Sequence, residues 1–235
     1  MKSILTSSNL ESHSNLIHGF TTRAIADDFE KIAAAHKIAS GNIFALKQIH
    51  SDIVICLDEH SDLQNLPEGD ALVTNQKNIL IGVRTADCLP ILICDKAHHA
   101  IAAVHAGWRG LVKGIVLKTL HTMMRRYGST STDLEIVFGP CLGVKNFEVG
   151  DEVVAAFQTA FGERFVWDRG DRPVSPTGKP HIDLTATARL SCTDNGCRAD
   201  SMAHIDLCTF ERSDLFYSYR RERGTGRQFN FIGMV

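Results

Sequence analysis

The segment ILIGVRTADCLPILICDKAHHAIAAVH, residues 79–105, contains three short runs of apolar residues separated only by turn residues. Runs of this length and composition predict β-strands, which we place at Ile79–Arg84, Leu89–Asp95 and Ala100–His105. No stretch between them is long enough for a helix. This arrangement argues against a regular doubly wound parallel sheet, in which a helix connects each strand to the next.

The pattern extends to both sides of this segment. Further strands are predicted at Ile43–Ile49, Ile53–Leu57, Ala71–Thr74, Leu134–Phe138, Ser201–Ile205, Phe216–Tyr219 and Gln228–Ile232. Helices are predicted at Asp27–Ala39, Leu111–Tyr127, Asp151–Phe161 and Asp183–Thr193, and a long surface loop at 163–180. Many short strands and several long helices predict an α+β fold, a layered α/β/β/α sandwich of mixed sheets covered by helices. Nothing resembling a linker or a repeat divides the chain, so we predict a single domain over residues 1–235.

Composition narrows the classes of function. The chain has 25 Lys and Arg against 27 Asp and Glu, for a net charge of −2, so it has no electrostatic footprint for nucleic acid or an anionic membrane. The N-terminal sequence lacks the apolar run of a secretory signal. Seven cysteines without secreted-type spacing argue against a disulfide framework. We predict a cytoplasmic protein, monomer or homodimer, without nucleic-acid or membrane partners.

Three potential metal ligands stand at predicted strand ends. His50 ends one run, Cys88 lies in the turn after another, and His105 ends a third. Two imidazoles and one thiolate suit a Zn²⁺ site whose fourth position is open to water or substrate. The spacing is too wide for a local zinc loop, so the fold would have to bring the three residues together. A satisfied core histidine is the ordinary alternative for such residues.

Residues near these ligands indicate an anion site. Gly107 and Gly110 let the backbone approach a ligand, and the helix predicted to begin here presents free N–H groups to an anion such as phosphate. Arg84 and Arg109 add positive charge close to Cys88 and His105. Alternatively, both arginines pair with acidic residues such as Asp87.

Motifs along nearly the whole chain resemble a known family. They are LKQIHSDIV (46–54), GDALVTN (69–75), GVRTADCLPILICD (82–95), AVHAGWRGLVKGIV (103–116), FGPCLG (138–143), FEVGDEV (147–153), and LCTF with FYSYRRERGTGRQ (207–228). In this order they resemble the YfiH/YlmD-type family, described both as laccase-domain or multicopper polyphenol oxidoreductases and as purine nucleoside phosphorylases.

The resemblance implies that His50, Cys88 and His105 bind a catalytic zinc ion. It also implies phosphorolysis of adenosine, inosine, guanosine and, as a further candidate, methylthioadenosine, with adenosine deamination as a second activity. The partners would then be a purine nucleoside and phosphate. A zinc ion suits deamination because it lowers the pKa of a bound water to about 7.

Further residues are candidates for roles around the zinc. Asp87 is a candidate proton shuttle or orienting group, and a purely structural turn role is the alternative. Gln48 lies two residues before His50, on the same side of a predicted strand, and is a candidate substrate contact. In the arginine-rich segment 217–228, Arg220 or Arg221 could hold phosphate, or the segment could be a solvated basic loop. The predicted substrate contacts are Gln48, Arg84, Arg109 and Arg221.

Two other enzymatic hypotheses remain open. A multicopper laccase needs a trinuclear cluster fed by several His-x-His pairs, and none of the eleven histidines forms one. Copper could still replace zinc in the His₂Cys site, because Cu²⁺ binds such ligands more tightly. Cys88 could instead be the nucleophile of a hydrolase, with His50 or His105 as its base. The resemblance suggests peptidoglycan precursors as the substrate of such a hydrolase.

A second metal site is also conceivable from the cysteine spacing. Cys192, Cys197, His204 and Cys208 could be drawn as a structural zinc site, although their spacing is irregular. Independent packing roles are the alternative. Cys141, in a Gly/Pro turn, could line the active site or be inert.

Overall fold

The computed structural model describes residues 2–62, 65, 67–95, 97–162 and 178–235. Its strands are β1 (Ile4–Leu5), β2 (Leu16–Thr21), β3 (Ile43–Ala45), β4 (Val54–Leu57), β5 (Ala71–Thr74), β6 (Ile79–Thr85), β7 (Leu89–Asp95), β8 (Ala100–Ala106), β9 (Leu134–Phe138), β10 (Met202–His204) and β11 (Gln228–Met234). Its α-helices are α1 (Ser8–Glu11), α2 (Phe29–His36), α3 (Trp108–Val112), α4 (Ile115–Tyr127), α5 (Asp151–Phe161) and α6 (Leu184–Asp194). Among the described residues, no helix is both long and apolar enough to cross a bilayer.

The strands form two mixed sheets. The first has the order β1-β2-β11-β6-β3 and the second the order β10-β9-β7-β8-β5-β4. Most neighbours are antiparallel, and the parallel pairs, β3 with β6, β4 with β5 and β10 with β9, involve edge strands. The strands predicted in 79–105 all form, but they are divided between the sheets. Strand β6 belongs to the first sheet, whereas β7 and β8 pair in the second.

Both sheets carry buried apolar side chains on both of their faces. Leu72, Ile81 and Leu92 belong to the core between the two sheets. Because side chains alternate along a strand, Leu80 points the other way and packs with Ile32 of α2. The outer face of the second sheet packs against helices α3 to α6. The predicted α/β/β/α layering and α+β class are therefore confirmed.

Helix boundaries follow local signals. Asp183 caps α6 as predicted, because its side chain accepts a hydrogen bond from the N–H of Ala186. The predicted helix at 111–127 is instead two helices, and the break is at Gly114, whose φ is +84°. Helix α2 ends at His36, because the next residue, Lys37, has the left-handed conformation, and this end comes before the predicted stop at Gly41.

The observed strands depart from the predicted ones in several places. The predicted strand Ile43–Ile49 ends at Ala45, so His50 lies beyond β3 and not at its end. Strands β1 and β2 were not predicted; in β2, His18 and Gly19 interrupt the apolar pattern. Gly19 is needed there because a Cβ would collide with Ile4 and Phe231. The predicted strand Phe216–Tyr219 does not form. Except for its last three residues, the predicted loop at 163–180 lies outside the described residues.

Candidate metal centre

The fold brings the three predicted ligands together. His50 follows β3, Cys88 lies in the turn from β6 to β7, and His105 is near the end of β8. One ligand atom from each residue lies within 4.8 Å of those of the other two. Cys88 Sγ is 4.0 Å from His50 Nε2, and the two imidazole rings are 4.9 Å apart at 79°. Both sheets therefore contribute to one side-chain cluster.

Asp70, immediately before β5, connects two of these ligands. Its buried carboxylate accepts hydrogen bonds from His105 Nδ1 at 2.7 Å and from the hydroxyl of Ser51 at 2.6 Å. It also accepts from the main-chain N–H groups of Ile49, His50 and Ser51. Its motif GDALVTN was among those carrying the family resemblance, but no ligand spacing in the sequence singles out this aspartate.

Electrostatics favour a charged thiolate in the cluster. Burial raises the pKa of Cys88, but the charge of His105 and hydrogen bonds from both histidines outweigh burial and lower this pKa to about 6. Burial lowers the pKa of His105, but the Cys88 charge and the bond to Asp70 raise it to about 9. Burial also opposes ionisation of Asp70, yet hydrogen bonds from His105 and Ser51 lower its pKa to about 2. Cys88 is thus held as the thiolate, the form that binds metals.

The donor set fits a metal ion. Imidazole and thiolate are both ligands that zinc binds, and three protein ligands leave a fourth position open, as in catalytic zinc sites; copper is an alternative occupant of a His₂Cys group. Because Nδ1 of His105 faces Asp70, its Nε2 is left for a metal. Gly107 leaves space at the cluster, since a Cβ there would lie 3.1 Å from Cys88 Sγ and 3.3 Å from His50 Cδ2.

The cluster opens into a cavity of about 710 Å³. The residues lining it are Leu46, Gln48, His50, Arg84, Thr85, Ala86, Asp87, Cys88, His105, Leu142, Phe147, Tyr219, Arg220 and Arg227. Two of the predicted substrate contacts, Gln48 and Arg84, are among them. The Gln48 amide is also paired with the main chain of Arg84, donating to its carbonyl at 2.8 Å and accepting from its N–H at 2.7 Å. Gln48 therefore helps to hold the cavity wall.

Two other predicted substrate contacts do not line this cavity. Arg109 is exposed and its guanidinium lies 4.3 Å from the ring centroid of Trp108. Arg221 donates to the carbonyls of Thr209, Phe210 and Phe216, so its guanidinium is committed to holding the main chain. Its neighbour Arg220 lines the cavity instead. Arg227 lines it as well, although the sequence pattern did not single out this arginine as a candidate.

Asp87 connects the Cys88 turn to the C-terminal segment. The residue is buried, with φ at +99°, and lies at the cavity wall. One carboxylate oxygen accepts from the Thr209 hydroxyl and the other from the main-chain N–H of Arg220, both at 2.6 Å. Because both carboxylate oxygens are engaged in this way, the contacts favour a structural role of Asp87 in the turn over a role as a proton shuttle.

The second metal site considered from the sequence does not form within the described part of the chain: its four residues, Cys192, Cys197, His204 and Cys208, do not converge. The group of possible metal ligands that does converge there is His50, Cys88 and His105. His204 and Cys208 line a separate cavity of about 500 Å³. Cys141 lines the same cavity, and burial raises its pKa to about 12, so this thiol is poorly reactive.

The fold and the cluster define a class of protein: an α/β/β/α sandwich with a His–Cys–His group at the ends of its sheets. The profile of the family described as "Multi-copper polyphenol oxidoreductase laccase" matches residues 2–235. The chain belongs to this family.

Similar proteins carry different functional names. The chain is 32% identical to the "Purine nucleoside phosphorylase" of Bacteroides thetaiotaomicron, over 94% of this chain and 92% of that protein. It is 37% identical to "Adenosine deaminase RL5" from an unknown prokaryotic organism, over 79% of this chain and 72% of that protein. The crystal structure of Bacillus licheniformis hypothetical protein YfiH superposes with a TM-score of 0.88 at 23% identity, covering 99% of this chain and 97% of that one. That structural match supports the fold.

Proposed function

We propose that this protein is a zinc-dependent purine nucleoside phosphorylase with adenosine deaminase activity. Its substrates would be adenosine, inosine and guanosine, with methylthioadenosine as a further candidate, and phosphate; its compartment would be the cytoplasm. The observation that carries the proposal is the His50–Cys88–His105 cluster opening into an arginine-lined cavity. The names of the relatives support the same reactions.

The cavity offers separate surfaces for the two substrates of phosphorolysis. Arg220 and Arg227 bring positive charge to its wall, which suits phosphate. Arg84 also lines the wall, but its guanidinium is paired with Asp27 at 3.0 Å. Phe147 and Tyr219 contribute aromatic surface of the kind on which a purine ring packs. The guanidinium of Arg220 lies 5.7 Å from the ring centroid of Phe147, so the two surfaces meet.

In phosphorolysis, a phosphate oxygen forms a bond to C1′ of the ribose while the bond from C1′ to N9 of the purine breaks. The purine leaves with a proton on its ring nitrogen, which the attacking hydrogen phosphate gives up, and ribose 1-phosphate is the other product. The arginines would hold phosphate against this centre and offset its charge. A zinc ion bound by the cluster would supply Lewis acidity and an activated water for deamination.

The decisive experiment measures base release from each nucleoside with and without phosphate. Zinc-loaded protein should yield adenine and ribose 1-phosphate from adenosine only when phosphate is present, and inosine from adenosine without it. If no purine nucleoside gives phosphate-dependent base release, the phosphorylase proposal fails.

Variants can test the phosphate surface. We expect Arg220→Ala to raise the KM for phosphate by about 10-fold or more, since it removes a charge-assisted hydrogen bond. Arg109→Ala is the matched control, because Arg109 is exposed and lies outside the cavity lining. Equal KM values for the two variants would contradict the proposed phosphate position.

Copper-dependent oxidation of phenols is a second candidate, favoured by the description of the family. A His₂Cys group is a suitable copper site. Metal analysis of protein prepared without added copper, followed by a phenol oxidation assay, distinguishes this candidate. Copper occupancy together with oxidase activity would favour it over the phosphorylase.

A cysteine hydrolase acting on peptidoglycan precursors is a third candidate, favoured by the thiolate character of Cys88. Alkylation in the presence and absence of zinc distinguishes it. A metal-bound thiolate should be protected by zinc, whereas a free nucleophile should be labelled rapidly under both conditions.

A further inference from the structure

We propose that Asp70 is a positioning residue that sets the metal affinity of the site by fixing two of its ligands, His50 and His105. This inference rests on the proposed metal site and assigns a role to a residue that touches no substrate. One buried carboxylate contacts both the ring of one ligand and the loop that carries the other.

Asp70 holds His105 through two bonds. Its Oδ1 accepts from His105 Nδ1 at 2.7 Å, and its main-chain carbonyl accepts from the His105 N–H at 2.7 Å. The first bond keeps a ring hydrogen on Nδ1, so Nε2 is the nitrogen that can give up its proton and bind a metal. The second fixes the strand from which the ring projects, so both the tautomer and the orientation of His105 depend on Asp70.

The same carboxylate shapes the loop of His50. Three consecutive main-chain N–H groups, from Ile49, His50 and Ser51, point at it with donor–acceptor distances of 3.3, 3.1 and 2.6 Å. His50 has a φ of +57°, which is uncommon for a residue other than glycine. Successive N–H groups that converge in this way form an anion-binding concavity. The His50 side chain is exposed, so this loop geometry is what holds it near Cys88.

Only a carboxylate can serve both ligands. Oδ1 accepts from His105 and from the His50 N–H, while Oδ2 accepts from Ile49 and Ser51. An asparagine has one acceptor oxygen, and its NH₂ group would face either the loop N–H groups or the ring of His105. Either orientation loses one set of bonds.

The test compares Asp70→Asn with wild type by zinc affinity, measured by competition with a chromophoric chelator, and by the absorption spectrum of the Co²⁺-loaded protein. We expect Asp70→Asn to bind zinc about 10- to 100-fold more weakly and to change the cobalt ligand-field bands. The matched control is Asp95→Asn. Asp95 is also fully buried, at the other end of β7, and accepts from His98 Nδ1 at 2.9 Å. This control should lose stability but keep wild-type zinc affinity.

The outcomes separate this inference from the proposed function. If wild type binds zinc and Asp70→Asn has the same affinity and cobalt spectrum, the positioning role is wrong while the metal site stands. If wild type binds no zinc, the proposed zinc enzyme and the positioning role both fail. Should Asp70→Asn not fold, Asp70→Glu keeps a carboxylate but moves it by one methylene away from the geometry that contacts both ligands. Unchanged zinc affinity and an unchanged cobalt spectrum in that variant would then overturn the inference.

Discussion

At the scale of single residues, Gly107 shows how closely the ligand cluster is packed. We expect Gly107→Ala to weaken zinc binding by about 10-fold, because the added methyl group would displace Cys88 Sγ or the His50 ring by a few tenths of an ångström. The backbone at Gly107 has a φ of −72°, which alanine adopts freely, so the fold should persist. Chelator competition measures the change in affinity.

Gly41→Ala is the control for this variant, since a Cβ at Gly41 would meet nothing within 4 Å. Its zinc affinity should equal that of wild type. Wild-type affinity in Gly107→Ala as well would mean that the cluster tolerates displacement, and would argue against a tight three-ligand geometry.

His18 should make stability depend on pH. The side chain is buried and its Nε2 accepts the N–H of Ser7, and burial lowers its pKa from 6.5 to about 4. Between these values the unfolded chain binds a proton that the folded protein excludes, so stability falls as pH falls from 6.5 towards 4. We expect this group to contribute about 3 kcal/mol of pH-dependent unfolding free energy.

Urea unfolding of wild type and His18→Gln at pH 7.5 and pH 4.5 tests this prediction. Glutamine keeps an oxygen that can accept the Ser7 N–H but does not titrate in this range. The variant should therefore lose less stability at pH 4.5. Identical pH dependence in both proteins would show that His18 is not the group responsible.

At the scale of secondary-structure elements, the C-terminal segment shows what sequence patterns could not predict. The apolar and aromatic residues of Phe216–Tyr219 suggested a strand, yet their carbonyls accept from other groups. Phe216 accepts from the Arg221 guanidinium, and Tyr217 from the Gln228 side chain. Such side-chain bonds replace the main-chain ladder of a sheet, and periodicity does not reveal them.

Arg221 should therefore act on stability. We expect Arg221→Lys to lower the free energy of unfolding by roughly 3 kcal/mol, because lysine leaves part-buried carbonyls without donors. Urea denaturation measures this loss. Arg212→Lys is the control, since Arg212 pairs with Asp214 at the surface and should change stability little. Equal stability of the two variants would contradict the structural role of Arg221.

The elements that sequence predicted best are those with continuous apolar runs. Strands β6, β7 and β8 were located within a residue or so, and the positions of Cys88 and His105 followed from them. His50 was placed at the end of a strand predicted over Ile43–Ile49, but β3 ends at Ala45 and His50 lies in an irregular segment beyond it. Their division between two sheets was not predictable, because apolar runs buried on both faces carry no signal for which neighbour they pair with. The contacts of Asp70 and Arg221 were not predictable either, since most of their partners are main-chain groups that only folding brings close.

At the scale of the whole molecule, the proposed metal would join the two sheets. His50 follows β3 of the first sheet, Cys88 lies in the connection from the first sheet to the second, and His105 belongs to β8 of the second. A metal bound by all three would link layers that otherwise contact mainly through apolar side chains. Metal binding should therefore stabilise the fold as well as the active site.

We expect added zinc to raise the free energy of unfolding, by about 2.7 kcal/mol when free zinc is 100 times its dissociation constant. Thermal unfolding with zinc and with a strong chelator measures this increment. His105→Ala should unfold at the same temperature under both conditions, because one of its three ligands is gone. The control His121→Ala changes an exposed residue of α4 and should keep the full increment. An ion that binds only the folded chain must stabilise it. If zinc leaves the unfolding temperature of wild type unchanged, zinc therefore does not bind across the two sheets, and the prediction is wrong.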